Sequence, residues 1–198
     1  GTLGTLSRID QTTAPGSATG VKLAVNAAGQ LLAVWEQIHL GGDSVFAAFH
    51  DGASWGAPML VSSLARGPVV SSNGTDFLVA YMEYSSSVNL ETRPFDGTAW
   101  GAADNHGWAG TGKPAIATDG SGYAVIWDRT SDVHGAVFDG VWRPVTVLDA
   151  VSGRVHELQL ASNGSNYLAV WGQEISGVKS LISAEANYDS TGDVWNWS

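Results

Sequence analysis

A run of five residues, Leu31-Leu32-Ala33-Val34-Trp35, returns three times along the chain, as Phe77-Leu78-Val79-Ala80-Tyr81, Tyr123-Ala124-Val125-Ile126-Trp127 and Tyr167-Leu168-Ala169-Val170-Trp171. Before each copy stands a short apolar run and a turn, at Ala28-Gly29, Asn73-Gly74, Asp119-Gly120 and Asn163-Gly164. The turn glycines lie 45, 46 and 44 residues apart, and the closing aromatics 46, 46 and 44. A fixed period of that length means one supersecondary unit built four times, and a unit too small to bury its own apolar faces must stack on its neighbours.

Each unit reads as four short strands. Unit one carries Lys22-Leu23-Ala24-Val25, Leu31 to Trp35, Val45 to Phe49, the turn Asp51-Gly52, then Trp55 and Met59-Leu60-Val61. The later units repeat the second turn as Asp96-Gly97 with Trp100, Asp139-Gly140 with Trp142, and Asp189 with Trp195. Asn-Gly and Asp-Gly between apolar runs signal tight hairpins, which in the type I′ form need positive φ at both central residues. Four antiparallel strands at a period near 45 predict an all-β chain folded as one four-bladed β-propeller, with blades at about 21–66, 67–112, 113–155 and 156–198 plus 1–20. The second strand of each unit is apolar at every position, the pattern of a strand covered on both faces, and neighbouring blades supply the covers. Seven of the nine tryptophans fall in two repeating columns and are read as packing residues; Trp108 and Trp197 fall in neither. The fourth unit stops at Asn196-Trp197-Ser198, and Leu6-Ser7-Arg8-Ile9-Asp10 matches the pattern of Val145 to Asp149, so an N-terminal strand is expected to close the last blade.

Charge narrows the partners. A net charge of -10 opposes nucleic-acid binding, which needs Lys and Arg to displace counterions from phosphate, and disfavours an anionic membrane surface. No apolar run approaches the roughly 20 residues of a membrane span, so no membrane insertion is expected. Without cysteine the chain has no disulfide, thiolate metal site or cysteine nucleophile. Only 14% of residues are charged while glycine, serine and tryptophan are abundant, a composition from which an extracellular or cell-surface protein is expected.

The elements Asp51 to Trp55, Asp96 to Trp100, the shortened Asp139 to Trp142 and the expanded Asp189 to Trp195 resemble the Asp-box hairpin of sialidase-like and other secreted propellers, without its leading Ser or Thr. Repeat lectins of the propeller class are similar in architecture and tryptophan content. The resemblance implies a glycan-related propeller, read here as a non-enzymatic lectin-like module. A structural or adhesive protein-interaction domain of a larger surface assembly, and a glycoside hydrolase, are the alternatives.

In a propeller the loops after strands two and four share one rim, the richer in polar groups, where a glycan or protein ligand is expected. The candidate ligand residues there are Trp108, His106 and Asn105 from the stretch that interrupts the strand-four pattern, Glu36 and His39, Glu83, and Asp128 with Arg129. An aromatic off the repeat template beside amide, imidazole and carboxylate groups suits stacking on a sugar face with hydrogen bonds at its edge; the competing reading of Trp108 is a plug between blades. Glu36, Glu83 and Asp128 follow the strand-two aromatics, a placement open to glycosidase acid–base work or to oxygen ligation of Ca²⁺, against the plainer reading of solvated or turn-capping acids. Blade four has Gly172 in the Glu36 position, so the acidic ring is incomplete. The five histidines show no metal-ligand spacing, the arginines form no recognisable triad, and no nucleophile elbow, phosphate loop or dinucleotide fingerprint occurs. No cofactor is expected. The chain is also a candidate for homo-oligomerisation.

Overall fold

The structure is a computed structural model that describes residues 8–10, 16–39, 42–110, 112–149, 151–189 and 194–198. These form four antiparallel sheets of four strands each. Blade one is β1 (Ala18–Val25), β2 (Leu31–His39), β3 (Gly42–His50) and β4 (Met59–Ser63). Blade two is β5 (Ala65–Ser72), β6 (Phe77–Glu83), β7 (Asn89–Phe95) and β8 (Asp104–Trp108). Blade three is β9 (Ala115–Thr118), β10 (Tyr123–Arg129), β11 (Asp132–Phe138) and β12 (Thr146–Val147). Blade four is β13 (Arg154–Ser162), β14 (Tyr167–Ile175), β15 (Val178–Asp189) and β16 (Val194–Trp197). The fold is an all-β propeller of four blades, and the four inner strands β1, β5, β9 and β13 border a common axial space of about 500 Å³.

The hairpin turns sit where the glycines predict, but they are not type I′. Gly97 takes φ of 90° and Gly52 takes 102°, while the aspartate before each stays at negative φ. The aspartate acts through its side chain instead. Asp96 Oδ1 accepts from Thr98 N at 2.8 Å, Ala99 N at 2.7 Å and Thr98 Oγ1 at 2.7 Å. Asp51, Asn73, Asp119 and Asn163 each accept the same two backbone donors. An Asx side chain thus supplies in four residues the hydrogen bonds that an I′ turn makes from backbone alone. Among the described residues, the one dipeptide with positive φ at both positions is Ser176-Gly177, between the paired residues Ile175 and Val178 at the turn from β14 to β15.

Packing follows the strand-two alternation. On one face of blade one, Leu32 and Val34 with Val45 and Ala47 meet Val79 and Tyr81 of blade two. Ala80, Met82 and Leu90 of blade two meet Val125 and Trp127 of blade three. Ala124, Ile126, Val133 and Val137 of blade three meet Tyr167, Ala169 and Trp171 of blade four. Blades one, two and three therefore each present one face to the next and receive a stripe ending in an aromatic on it. Burial at these seams is close to complete, with Trp35, Trp127 and Trp171 at 1–2% exposure, which accounts for the packing reading of that column.

Two details depart from the sequence expectation. The fourth strand of blade four is β16, paired with β15 from Ala186↔Trp197 to Asp189↔Val194, so the outer position that the sequence assigns to Leu6 to Asp10 is filled by Val194–Trp197. Residues 1–7 lie outside the described set, and Arg8 to Asp10 form no strand. Ile9 packs instead on blade one, against Ala33, Trp35, Phe46 and Ala48. The physical reason is that β15, at 12 residues, runs far enough to pair with the short stretch after Asp189. Trp197 then fills the space left by the missing side chain of Gly135, where a Cβ would sit 3.2 Å from its ring. The second departure is at the seam between blades four and one: no strand pair there packs as the three sequential seams do among the described residues.

Candidate functional site

Loops of blades two, three and four meet around a cavity of about 810 Å³ on the rim opposite the Asx turns. One wall is Trp108, at the end of β8, whose side chain remains 47% exposed. Its backbone is fixed from three sides. The Trp108 carbonyl accepts from Trp127 Nε1 at 3.4 Å, Ala109 N donates to Val88 O at 2.8 Å, and Gly110 N donates to Asp128 O at 2.7 Å. The Arg129 guanidinium lies 5.3 Å from the indole centroid, covering part of the ring by a cation–π contact. An exposed aromatic so held presents a flat apolar surface at little further ordering cost.

Asp128 forms the floor. Its Oδ1 accepts from Gly112 N at 3.0 Å, and Gly110 stands so close that a Cβ on it would fall 2.0 Å from Oδ2. Only glycine allows that approach. With 8% exposure the carboxylate ties the loop down more than it offers itself to solvent. Across the cavity stand Arg154, His156, Glu157, Gln173, Lys179 and Ser180. Two wall residues, Thr130 at φ 65° and Glu157 at φ 50°, hold left-handed backbone that costs a non-glycine residue energy, and a β-branched one most. Gln173 is buried and bridges two elements, accepting from Trp171 Nε1 at 3.4 Å and donating from Nε2 to Val151 O. Gln37 does the same between Trp35 Nε1 and Gly16 O, at 3.0 and 3.5 Å.

The other expected residues disperse. His106 turns into the seam between blades two and three, 4.3 Å from the Trp142 ring, with Nε2 2.8 Å from Thr92 Oγ1; burial pushes its pKa down to about 4. Asn105 is exposed, but its Oδ1 accepts from Gly107 N at 2.7 Å to shape the strand end. Glu36 stands by the axial space and accepts from Gly67 N at 2.8 Å, binding blade one to blade two. Glu83 accepts from Ser85 Oγ at 2.9 Å. The side chain of His39 lies outside the described set. Trp108, Asp128 and Arg129 thus come together, while Glu36 ties blade one to blade two, Glu83 and Asn105 make local hydrogen bonds, and His106 packs into the seam.

A second charged cluster borders the rim. Arg66 pairs with Asp43 at 2.5 Å and lies 5.3 Å from the Tyr84 ring centroid. Burial raises the Tyr84 phenol above its ordinary range, Arg66 opposes that, and Asp128, Glu36 and Asp43 add to it. Among the described residues no three His, Asp or Glu side chains converge as a metal site would require. Thr130, Glu157 and Lys179 carry no sign of the cavity in the sequence, because Thr130 sits between β10 and β11 while Glu157 and Lys179 lie in β13 and β15 of the next blade.

No family model and no curated protein matches this chain. Solved structures do match in shape. A six-bladed β-propeller, the fungal fucose-recognising lectin of Aleuria aurantia, aligns at TM-score 0.56 and 15% identity, covering 85% of this chain and 55% of the lectin. Trypanosoma rangeli sialidase, in complex with the inhibitor DANA, aligns at TM-score 0.57 and 10% identity over 80% of this chain and 30% of the sialidase. An α-L-arabinofuranosidase from Fusarium graminearum aligns at TM-score 0.52 and 11% identity, over 84% and 61%. The chain therefore spans between about a third and three fifths of these structures. At such identities the likeness establishes the fold, an all-β propeller.

Proposed function

We propose that the chain is a non-enzymatic carbohydrate-binding module of an extracellular or cell-surface protein, taking its glycan in the cavity beside Trp108. The observation that carries this is the indole itself: half exposed, off the repeat template, fixed by three backbone hydrogen bonds around it and faced by polar groups across a cavity of sugar-chain size. A pyranose ring offers an apolar C–H face for the indole and hydroxyls for Arg154, Gln173 and Ser180, the pairing of one flat aromatic with a few directed polar groups that such sites use. The propeller structures similar in shape include a lectin and glycan-acting enzymes, which adds support of an associational kind. A hydrolytic reading needs a free acid–base pair at the cavity, and Asp128 is committed to the Gly110–Gly112 loop.

A glycan array followed by calorimetry tests the proposal. Binding of at least one saccharide class is expected, with Trp108→Ala weakening it about tenfold or more, the value of one stacking contact. An array with no binder, or a ligand that binds Trp108→Ala as tightly as the parent, removes it. Turnover of any bound glycoside by the parent that Asp128→Asn abolishes would restore the hydrolase.

A further inference from the structure

One residue in the cavity wall departs from the repeat at the expense of the fold. In blades one, two and four the inner strand bulges opposite the strand-two aromatic, so that Gly20-Val21, Gly67-Pro68 and Glu157-Leu158 face Trp35, Tyr81 and Trp171. The first bulged residue holds left-handed backbone each time, at φ 66° for Gly20, 62° for Gly67 and 50° for Glu157. Glycine is the residue such a bulge selects, because a Cβ there crowds the following carbonyl oxygen. Blade four carries a glutamate in that place and gives up stability that blades one and two keep. A Cβ at Gly20 would stand 3.4 Å from Glu36 Oε1 and one at Gly67 3.4 Å from Lys113 Cγ, so both are in contact with neighbours, whereas position 157 opens on the cavity. Room admits the side chain without relieving the backbone. No contact inside the protein offsets the strain either: among the described residues the Glu157 carboxylate has no hydrogen bond or ion pair, while the other five glutamates each have a partner.

We propose that Glu157 determines which sugar the cavity takes, its two carboxylate oxygens accepting hydrogen bonds from two adjacent hydroxyls of a neutral pyranose stacked on Trp108. This rests on the glycan reading of the cavity and narrows it to neutral sugars with a free vicinal diol. The carboxylate is exposed in the same cavity as the half-exposed indole. An ionised carboxylate only accepts, and its two oxygens match two neighbouring O–H donors, with charge-assisted bonds about twice as strong as neutral ones. A bulge beside a binding site re-aims the side chain it carries, which is what a left-handed Glu157 gains over a regular strand position. A sugar acid seated there would meet a like charge.

Calorimetry of the parent and its variants against methyl glucoside, methyl mannoside and methyl galactoside, with their monodeoxy analogues and the matching uronates, tests the role. A neutral glycoside should bind the parent at least about fivefold more tightly than its uronate does. Glu157→Gln, the same shape with one acceptor oxygen and no charge, should weaken that binding about tenfold or more. The analogue lacking one of the paired hydroxyls should bind the parent comparably weakly and lose little further on Glu157→Gln. Glu157→Gly should lose the same affinity yet unfold at a higher urea concentration than the parent, an opposition that a purely structural glutamate does not produce. If Glu157→Gln binds as tightly as the parent while Trp108→Ala does not, the role falls and the glycan reading stands. A parent that binds none of these glycosides, or binds the uronates best, overturns the role and leaves the glycan array to judge the cavity. A Glu157→Gly protein no more stable than the parent overturns it too.

Discussion

His106 lies between the Trp142 and Trp127 rings, and its low pKa ties stability to pH. The folded chain holds it neutral down to about pH 4, while the unfolded chain protonates it near 6.5. As pH falls from 6.5 toward 4 the unfolded state alone takes up a proton, so stability drops over that window, by up to about 3 kcal/mol for His106. His134, buried and likewise lowered, chiefly by burial, acts in the same direction. Below the window the turn aspartates follow: Asp51 and Asp96 are held under their ordinary range by backbone amides, and that contribution is lost as pH falls through their folded values. Urea midpoints at pH 7 and pH 5 check this; His106→Gln should narrow the difference, and an equal difference in both proteins sinks the assignment. Gln173 makes a second residue-scale case. Replacing it with Leu leaves Trp171 Nε1 buried without a partner, at an expected cost of about 1–3 kcal/mol in chemical denaturation. The sequence marks Trp108 as off-template, yet it does not reveal that His106 and Gln173 are drawn into the packing. Their burial depends on Trp142 and Val151, residues of other elements that no local pattern connects to them.

At the scale of elements, the strand pattern was legible because periodicity reports burial directly: a run apolar at every position becomes a strand covered twice, as Leu32 to Trp35 are. Turn type was not, since Asp-Gly fits either an I′ turn or an Asx turn, and the choice falls to whether the side chain can reach the two following amides. Nothing in the sequence singles out Gly110, although it seats Trp108 through its bond to Asp128 O. Gly110→Ala should show its role. A methyl at 2.0 Å from Asp128 Oδ2 forces the loop or the carboxylate to move, with about 1–3 kcal/mol lost to overpacking. Any saccharide affinity should fall with it, because Trp108 is anchored through Ala109 and Gly110. Urea denaturation and calorimetry on the same variant read the two effects separately, and unchanged values in both would discard the anchoring role.

For the whole molecule, the repeat foretold four blades but not how its ends are finished. Ring closure by Leu6 to Asp10 rests on a pattern that several outer strands share, and pairing of β16 with β15 satisfies the same hydrogen-bonding need within blade four. At the blade-one end, Ile9 packs over the Ala33 and Trp35 stripe, which no described blade covers. Truncation at the two ends should therefore damage different seams. Ile9→Ala, removing a half-buried side chain, should cost about 1–3 kcal/mol, and because it uncovers Trp35 it should also raise the fraction of tryptophan fluorescence open to iodide. Trp197→Ala should cost about 3–5 kcal/mol by emptying the space over Gly135 between blades three and four, and it should leave Trp35 as shielded as before. If Ile9→Ala leaves iodide quenching unchanged, blade one is closed by something other than this segment; if Trp197→Ala opens Trp35, the two ends are joined and the stack is a closed ring after all.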